Sequence, residues 1–145
     1  MPDIIIFHNP ACGTSRNTLA LTRNSGIEPT VVEYLKTPPS TEQIRQLLSA
    51  MDASVRDVLR KKGTPFAELD LDNREWSDER LLALIEQHPI LLNRPIVVTP
   101  MGVRLCRPSE VVLDILPFPQ QGPFIKEDGE IVIDTTGRKV GSPSP

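Results

Sequence analysis

The sequence predicts an α/β fold in which a β-α-β unit is followed by helices and then by a β-β-α unit. The apolar run Ile4–Phe7 precedes a helical pattern and a second apolar run, Thr30–Tyr34. Between residues 38 and 88 the apolar residues recur at helical spacing, and two short apolar segments then flank the turn Pro100-Met101-Gly102. The helices are therefore predicted as an insertion between the second and third strands.

The first unit is predicted as two strands joined by one helix. Ile4–Phe7 has the length and apolar character of a buried strand, and Thr14–Asn24 is predicted as a helix that ends before Gly26. Thr30–Tyr34 is the second strand. Because crossovers between strands of one sheet are right-handed, we expect these two strands to be parallel.

The insertion is predicted as a series of helices. Ser40 and Gln43 match a capping box at the start of the first helix. Ser54 is expected to cap a turn that carries Val58 and Leu59, and Pro65 to occupy the first position of a further helix. Ser77 is predicted to begin the last one, whose leucines fall on one face.

The final unit contains a hairpin and a helix. Ile96–Thr99 and Val103–Cys106 are predicted to pair across the turn, and Ser109 to cap a helix that reaches Leu116. This element order is the thioredoxin- or glutaredoxin-like arrangement. That fold carries a cis proline just before its third strand, and Pro95 occupies this place in the sequence.

Residues 1–116, including the insertion 38–88, are therefore predicted as one catalytic domain. The segment 117–145 is rich in proline, glycine and charge, and we interpret it as a C-terminal extension. Its run Ile131-Val132-Ile133 is predicted to form a small hairpin against the edge of the sheet. The last few residues are expected to be disordered.

The composition excludes several classes of protein. The chain has 145 residues, 39% of them hydrophobic, and a formal net charge of −3. A general nucleic-acid binder needs a broad basic surface, which this charge does not provide. The sequence contains no long apolar span and no export signal, so we expect a cytoplasmic protein that does not enter a membrane. Its two cysteines, Cys12 and Cys106, are too few for a disulfide framework.

Cys12 is predicted to be a reactive thiol because it opens a helix directly after a strand. A sulfur at a helix N-terminus faces backbone N–H groups and the positive end of the helix dipole, which favour the thiolate. His8 and Arg16 are close enough in sequence to lower the thiol pKa further. Cys106, by contrast, lies in an alternating strand and is interpreted as a buried structural residue.

The same helix start is predicted to bind an anion. Backbone amides from Gly13 onward, through Thr14 and Ser15, can hold an oxyanion beside the sulfur. Such a site favours attack on the central atom of the anion, or binding of a thiol such as glutathione through its carboxylates. A phosphatase-type loop requires arginine where Thr18 stands, and a dithiol oxidoreductase requires cysteine where Ser15 stands. A redox cycle must therefore take its reducing thiol from another molecule.

Four motifs distributed along the chain are similar to those of one known family. They are His8-Asn9-Pro10-Ala11-Cys12-Gly13-Thr14-Ser15-Arg16-Asn17-Thr18, Val58-Leu59-Arg60, Asn93-Arg94-Pro95-Ile96-Val97 and Leu105-Cys106-Arg107-Pro108. Together they resemble the glutaredoxin-coupled arsenate reductases of bacteria. The similarity covers most of the chain and becomes weaker in the extension after Pro117.

This resemblance implies a complete reaction. Cys12 attacks arsenate, glutathione enters as co-substrate, glutaredoxin resolves the mixed disulfide, and arsenite leaves. Arg60, Arg94 and Arg107 match the arginines that bind the oxyanion, and His8 matches the residue that lowers the thiol pKa. The resemblance implies no bound cofactor and no metal, and Cys12 with His8 is also a poor metal pair.

Elementary electrostatics gives an independent reason for several arginines at this site. Guanidinium groups bind oxyanions in a bidentate manner. A thiolate that approaches an anion is repelled by about 4 kcal/mol for unit charges ~4 Å apart at an effective dielectric constant of ~20. Cations between the two remove much of that barrier.

Two other functions remain open at this point. One is a regulatory protein of the same fold that binds RNA polymerase and uses its cysteine as a redox sensor. Such a protein does not need arginines around the thiol or the lead-in His8-Asn9-Pro10. The other is a monothiol glutaredoxin-like protein, which Cys12-Gly13-Thr14-Ser15 suggests and the long helical insertion argues against.

Overall fold

The computed structural model describes residues 3–140, which divide into two compact units. One unit contains the residues up to Val32 and those from Arg94 onward, and the other is Glu33–Asn93. The predicted domain boundary at residue 116 stays a prediction. The disorder expected for the last few residues concerns positions that lie largely outside the described range.

The first unit is built on a four-stranded sheet. Its strands are β1 (Ile5–His8), β2 (Thr30–Glu33), β3 (Ile96–Thr99) and β4 (Gly102–Leu105). Their order is β2-β1-β3-β4, and β3 pairs antiparallel with both of its neighbours. The amide of Thr30 donates to the carbonyl of Ile4 at 2.8 Å. The strands β1 and β2 therefore start at the same end of the sheet, as expected for parallel neighbours.

Helix α1 (Gly13–Arg23) joins β1 to β2 and confirms the predicted β-α-β unit. It packs against a 3-10 helix at Ser109–Asp114. The sequence predicted an α-helix capped by Ser109 here, whereas the structure has the tighter helix with Pro108 as its cap. Side chains from sheet and helices share one core, which includes Ile6, Leu21, Val97, Cys106 and Val112. The α/β class and the thioredoxin-like arrangement are confirmed.

The second unit contains the helical insertion. Helix α2 (Thr41–Met51) begins at the predicted capping box, in which Ser40 Oγ accepts the amide of Gln43 at 3.1 Å. Helix α3 (Asp78–Gln87) begins after Ser77, as predicted. The turn expected after Ser54 is a 3-10 helix of four residues, Val55–Val58, with Ser54 at its N-cap.

The α-helix predicted to start at Pro65 is wrong. One helical bond forms, from the amide of Leu69 to the carbonyl of Pro65 at 2.9 Å, but the segment continues as turns. Asp70 adopts a left-handed conformation with φ of 56°, which a helix cannot continue through. The bend that follows places Leu71 and Phe66 in the interior. Burial of these two side chains has overridden the local helix-start signal.

The extension after residue 117 forms the predicted hairpin, but in a different place. Its strands, β5 (Phe124–Ile125) and β6 (Ile131–Ile133), make a two-stranded sheet of their own instead of joining the edge of the main sheet. Val132 and Ile133 are buried in the core of the first unit, which explains why the hairpin packs there. Within residues 3–140, no helix has the length and apolar character needed to cross a membrane.

Candidate active site

Cys12 lies at the N-cap of α1, as predicted. The loop before it is held by two bonds to Asn9, whose carbonyl accepts the amide of Cys12 at 3.0 Å and whose Oδ1 accepts the amide of Ala11 at 2.9 Å. The first amide to bond within the helix belongs to Arg16, which donates to the carbonyl of Cys12 at 3.0 Å. The earlier amides of α1 are thus directed out of the helix end, on the side of the sulfur.

Those earlier amides belong to Gly13, Thr14 and Ser15, the residues predicted to bind an oxyanion. Gly13 does not have a positive φ, and a Cβ added to it would make ordinary contacts. Its conformation therefore does not require glycine. The structure brings these three residues together with the thiol, and their part in anion binding stays a prediction.

His8 contacts the site through Ser15. Both side chains are buried, and Nδ1 of His8 lies 2.6 Å from Oγ of Ser15. The same oxygen accepts the amide of Asn9 at 3.1 Å, so the hydroxyl hydrogen of Ser15 is available for the imidazole. His8 therefore fixes the position of Ser15, whose own amide acts on the thiol.

Two of the three predicted arginines lie beside Cys12. Nη1 of Arg107 is 3.6 Å from the sulfur and also donates to the carbonyl of Arg94 at 3.0 Å. Arg94 is buried, with 8% of its surface exposed. The Arg94-Pro95 peptide bond is cis, as predicted, and so is the bond between Arg107 and Pro108, which the sequence did not indicate.

The surroundings of Cys12 make it acidic for a thiol. Burial alone raises its pKa, but the backbone amide of Ser15 and the guanidinium groups of Arg94 and Arg107 lower it more strongly. The net result is a pKa lowered from 9.0 to about 7. A large fraction of the sulfur is therefore thiolate at neutral pH.

Cys106 shows the opposite behaviour. It is fully buried in the core, where burial raises the pKa of its thiol to about 12. Its sulfur donates to the carbonyl of Arg104 at 3.7 Å. This buried position agrees with the prediction that Cys106 is a structural residue.

The third predicted arginine, Arg60, belongs to the second unit. Its amide donates to the carbonyl of Leu91 at 2.8 Å, and its Nη1 lies 3.5 Å from Oδ1 of Asn93. Asn93 directly precedes Arg94 in the chain. A role for Arg60 in anion binding stays a prediction from the resemblance.

We expect the alkylation rate of Cys12 to rise with pH up to a midpoint near 7 and then to level off, because only the thiolate reacts. Replacing His8 with alanine removes the contact that holds the Ser15 side chain and is expected to raise the midpoint. Iodoacetamide labelling of Cys12, followed by peptide mass spectrometry across pH, measures this.

The matched control is His88→Ala, which changes the other histidine of the chain, located at the end of α3 in the second unit. This variant is expected to leave the midpoint unchanged. A wild-type midpoint near ~8.5, the value of an ordinary thiol, contradicts the prediction. So does a midpoint that is indifferent to His8→Ala.

A metal centre has no support from the described part of the chain, where no three histidine, cysteine, aspartate or glutamate side chains are grouped to bind an ion. Arg16, near the thiol, makes a contact that the sequence does not indicate. Arg16 forms a bidentate ion pair with Glu127, 111 residues further along the chain, and no local pattern indicates such a partner.

Comparison with known proteins gives consistent matches. Residues 7–115 match the model of the ArsC family. The chain is 61% identical over 137 residues to an arsenate reductase of Rhizobium meliloti strain 1021, which covers 94% of this chain and 98% of that protein. An arsenate reductase of Escherichia coli strain K12 is 57% identical over 140 residues, covering 97% and 99% of the two chains.

A solved structure of similar shape comes from Vibrio cholerae. It is an arsenate reductase that matches with a TM-score of 0.75 and 43% sequence identity, and the match covers 79% of this chain and 98% of that one. The sequence and structure comparisons therefore agree on the same kind of protein.

Proposed function

The chain belongs to the ArsC family, and we propose that it is an arsenate reductase in which Cys12 is the nucleophile. The proposal rests on the position of the Cys12 sulfur at the N-terminus of α1, with Nη1 of Arg107 3.6 Å from it. Near full-length similarity to arsenate reductases supports the substrate. The pKa of about 7 supports the role of the sulfur.

The first step that we propose is attack of the Cys12 thiolate on the arsenic atom. A sulfur–arsenic bond forms, and one arsenate oxygen leaves as water after taking up protons. Arg94 and Arg107 favour this step because their charges offset the repulsion between two anions. The amides of Gly13, Thr14 and Ser15 lie at the positive end of α1 and are proposed to bind the remaining arsenate oxygens.

Reduction requires a second thiol, which we propose is that of glutathione. Arsenic(V) takes up two electrons when the Cys12 sulfur and the glutathione sulfur join in a disulfide, and arsenite is released. Cys106 is an unsuitable second thiol, since it is buried and its pKa is about 12. Glutaredoxin then attacks the mixed disulfide and restores the Cys12 thiol.

This chemistry suits a compartment in which thiols stay reduced. We propose that the protein works in the cytoplasm, with arsenate and glutathione as substrates and glutaredoxin as its protein partner. It needs no bound cofactor in this scheme, because the two thiols supply both electrons.

A coupled assay tests the proposal. Purified protein is mixed with arsenate, glutathione, glutaredoxin, glutathione reductase and NADPH, and NADPH oxidation is followed. We expect turnover that depends on arsenate and that stops when either glutathione or glutaredoxin is left out. Absence of arsenate-dependent oxidation contradicts the proposal and favours the regulatory, polymerase-binding alternative. Turnover of a glutathione mixed disulfide by the protein when both arsenate and glutaredoxin are left out favours the glutaredoxin-like alternative.

A further inference from the structure

Arg16 is a cation beside the reactive thiol that takes no part in the scheme above. It lies one helical turn after Cys12 on α1, and the charge of Cys12 contributes to its electrostatic surroundings. By position alone it is a candidate ligand for an oxyanion. Its hydrogen bonds show that it is already engaged elsewhere.

Each of the three nitrogens of the Arg16 guanidinium donates a hydrogen bond to a protein oxygen. Nε and Nη2 donate to the two carboxylate oxygens of Glu127, both at 2.8 Å, and Nη1 donates to the carbonyl of Pro10 at 2.8 Å. This is the bidentate geometry in which arginine also binds tetrahedral oxyanions. Glu127 therefore occupies the Nε–Nη2 edge of the guanidinium, one of the edges through which arginine binds an anion in a bidentate manner.

The carboxylate of Glu127 lies close to the proposed anion site. A Cβ placed on Gly13, the residue after Cys12, would be 3.7 Å from Nη2 of Arg16 and 3.9 Å from Oε1 of Glu127. The ion pair thus stands at the first residue of α1, where the helix amides are directed outward. Among the contacts that the structure describes, the acidic side chain next to Gly13 is that of Glu127.

The C-terminal hairpin holds Glu127 in this position. The amide of Glu127 donates to Oδ1 of Asn17 at 3.2 Å. The neighbouring Lys126 is largely buried, with 12% of its side chain exposed, and it binds Glu110 at 2.8 Å and Glu130 at 2.6 Å. The turn between β5 and β6 is therefore anchored to the rest of the unit at Glu127 and at the residue before it.

We propose that Glu127 is a positioning residue that limits the affinity of the active site for tetrahedral anions by engaging Arg16. The inference rests on the proposed function, since it concerns the oxyanion site at Cys12. With Glu127 in place, Arg16 is neutralised and directed away from the anion. The remaining cations, Arg94 and Arg107, then determine how strongly an anion binds.

The test uses inorganic phosphate as the probe and needs no turnover. Phosphate at constant ionic strength protects Cys12 from iodoacetamide when it occupies the site, and its apparent dissociation constant is read from the labelling rate. We expect Glu127→Gln to bind phosphate about two- to fivefold more tightly than the wild type, the range of an exposed charge interaction. Its alkylation midpoint is expected to fall below that of the wild type.

The chain offers a matched control at the other end of the same helix. Arg23 and Glu28 form an exposed bidentate pair there, with distances of 2.9 Å from Nε and Nη2 to the two carboxylate oxygens. Glu28→Gln removes the same charge from the same kind of pair. It is expected to leave phosphate binding and the alkylation midpoint unchanged.

A double variant shows whether Glu127 acts through Arg16. In an Arg16→Gln background the change Glu127→Gln is expected to have no further effect on phosphate binding, because the cation that it releases is absent. Equal phosphate affinity in the wild type and Glu127→Gln overturns the inference alone, as does a gain that persists in the Arg16→Gln background. Failure of phosphate to protect the wild type overturns the anion site itself, and this inference with it.

Discussion

Replacing Cys12 with serine is expected to reduce arsenate-dependent turnover to the level of the assay without protein. Serine keeps the size of the side chain but is not ionised at neutral pH, so the sulfur nucleophile with a pKa of about 7 is lost. The coupled glutathione and glutaredoxin assay measures the effect. We expect the fold to be retained, because Cys12 is only partly buried at a helix cap.

Cys106→Ala is the matched control, since it removes the other thiol. It is expected to retain nearly full kcat/KM for arsenate while lowering stability somewhat, because the residue is fully buried in the core. Substantial arsenate-dependent turnover in Cys12→Ser contradicts the mechanism. So does a loss in Cys106→Ala that persists in the fraction shown to be folded by circular dichroism.

The second large effect is expected for Arg94→Lys. Lysine keeps the charge but cannot present two parallel N–H groups to an oxyanion. We expect kcat/KM for arsenate to fall by about 1.5–3 kcal/mol of transition-state stabilisation, the usual value of a hydrogen bond to a charged group. Steady-state kinetics with varied arsenate, at saturating glutathione and glutaredoxin, gives this number.

Arg94 also lowers the pKa of Cys12, so the kinetic effect must be separated from an effect on the thiol. Because lysine retains the positive charge, the alkylation midpoint is expected to stay within about half a unit of the wild type. A kcat/KM equal to that of the wild type removes Arg94 from the list of oxyanion ligands. If the variant loses activity because it is unfolded, shown by the absence of a thermal unfolding transition, Arg94 is likewise not supported as an oxyanion ligand.

Much of the fold was predictable from sequence because its signals are local. The capping box of Ser40 and Gln43 spans four residues and specifies the start of α2 by itself. The turn Pro100-Met101-Gly102 likewise specifies the hairpin of β3 and β4. In both cases the residues that determine the structure are adjacent to the structure that they determine.

The errors arose where tertiary packing competes with a local signal. Pro65 is a good first residue of a helix, yet burial of Leu71 and the left-handed Asp70 end the helical segment after one turn. The hairpin of the extension was predicted correctly as an element but placed at the wrong surface. Its pattern shows that one face is apolar and does not show which surface covers that face.

The active site also combines features that adjacent residues predict with contacts between distant residues that they do not predict. The position of Cys12 at a helix start follows from adjacent residues. Its contact with Arg107 joins residues 95 apart, and the pair of Arg16 and Glu127 joins residues 111 apart. The contact with Arg107 is implied only by the family resemblance. The pair of Arg16 and Glu127 has no signal in the sequence. Contacts of this kind depend on how the chain returns to α1, which spacing in the sequence does not encode.

One measurement tests the central claim directly, namely that Cys12 and an external thiol together reduce arsenate. The protein is incubated with arsenate and glutathione in the absence of glutaredoxin, quenched with acid and analysed by intact and peptide mass spectrometry. We expect one glutathione per chain, joined by a disulfide to Cys12, together with one equivalent of arsenite, and neither without arsenate. Glutathione on Cys106, a disulfide that forms equally without arsenate, or arsenite released with Cys12 unmodified would contradict it.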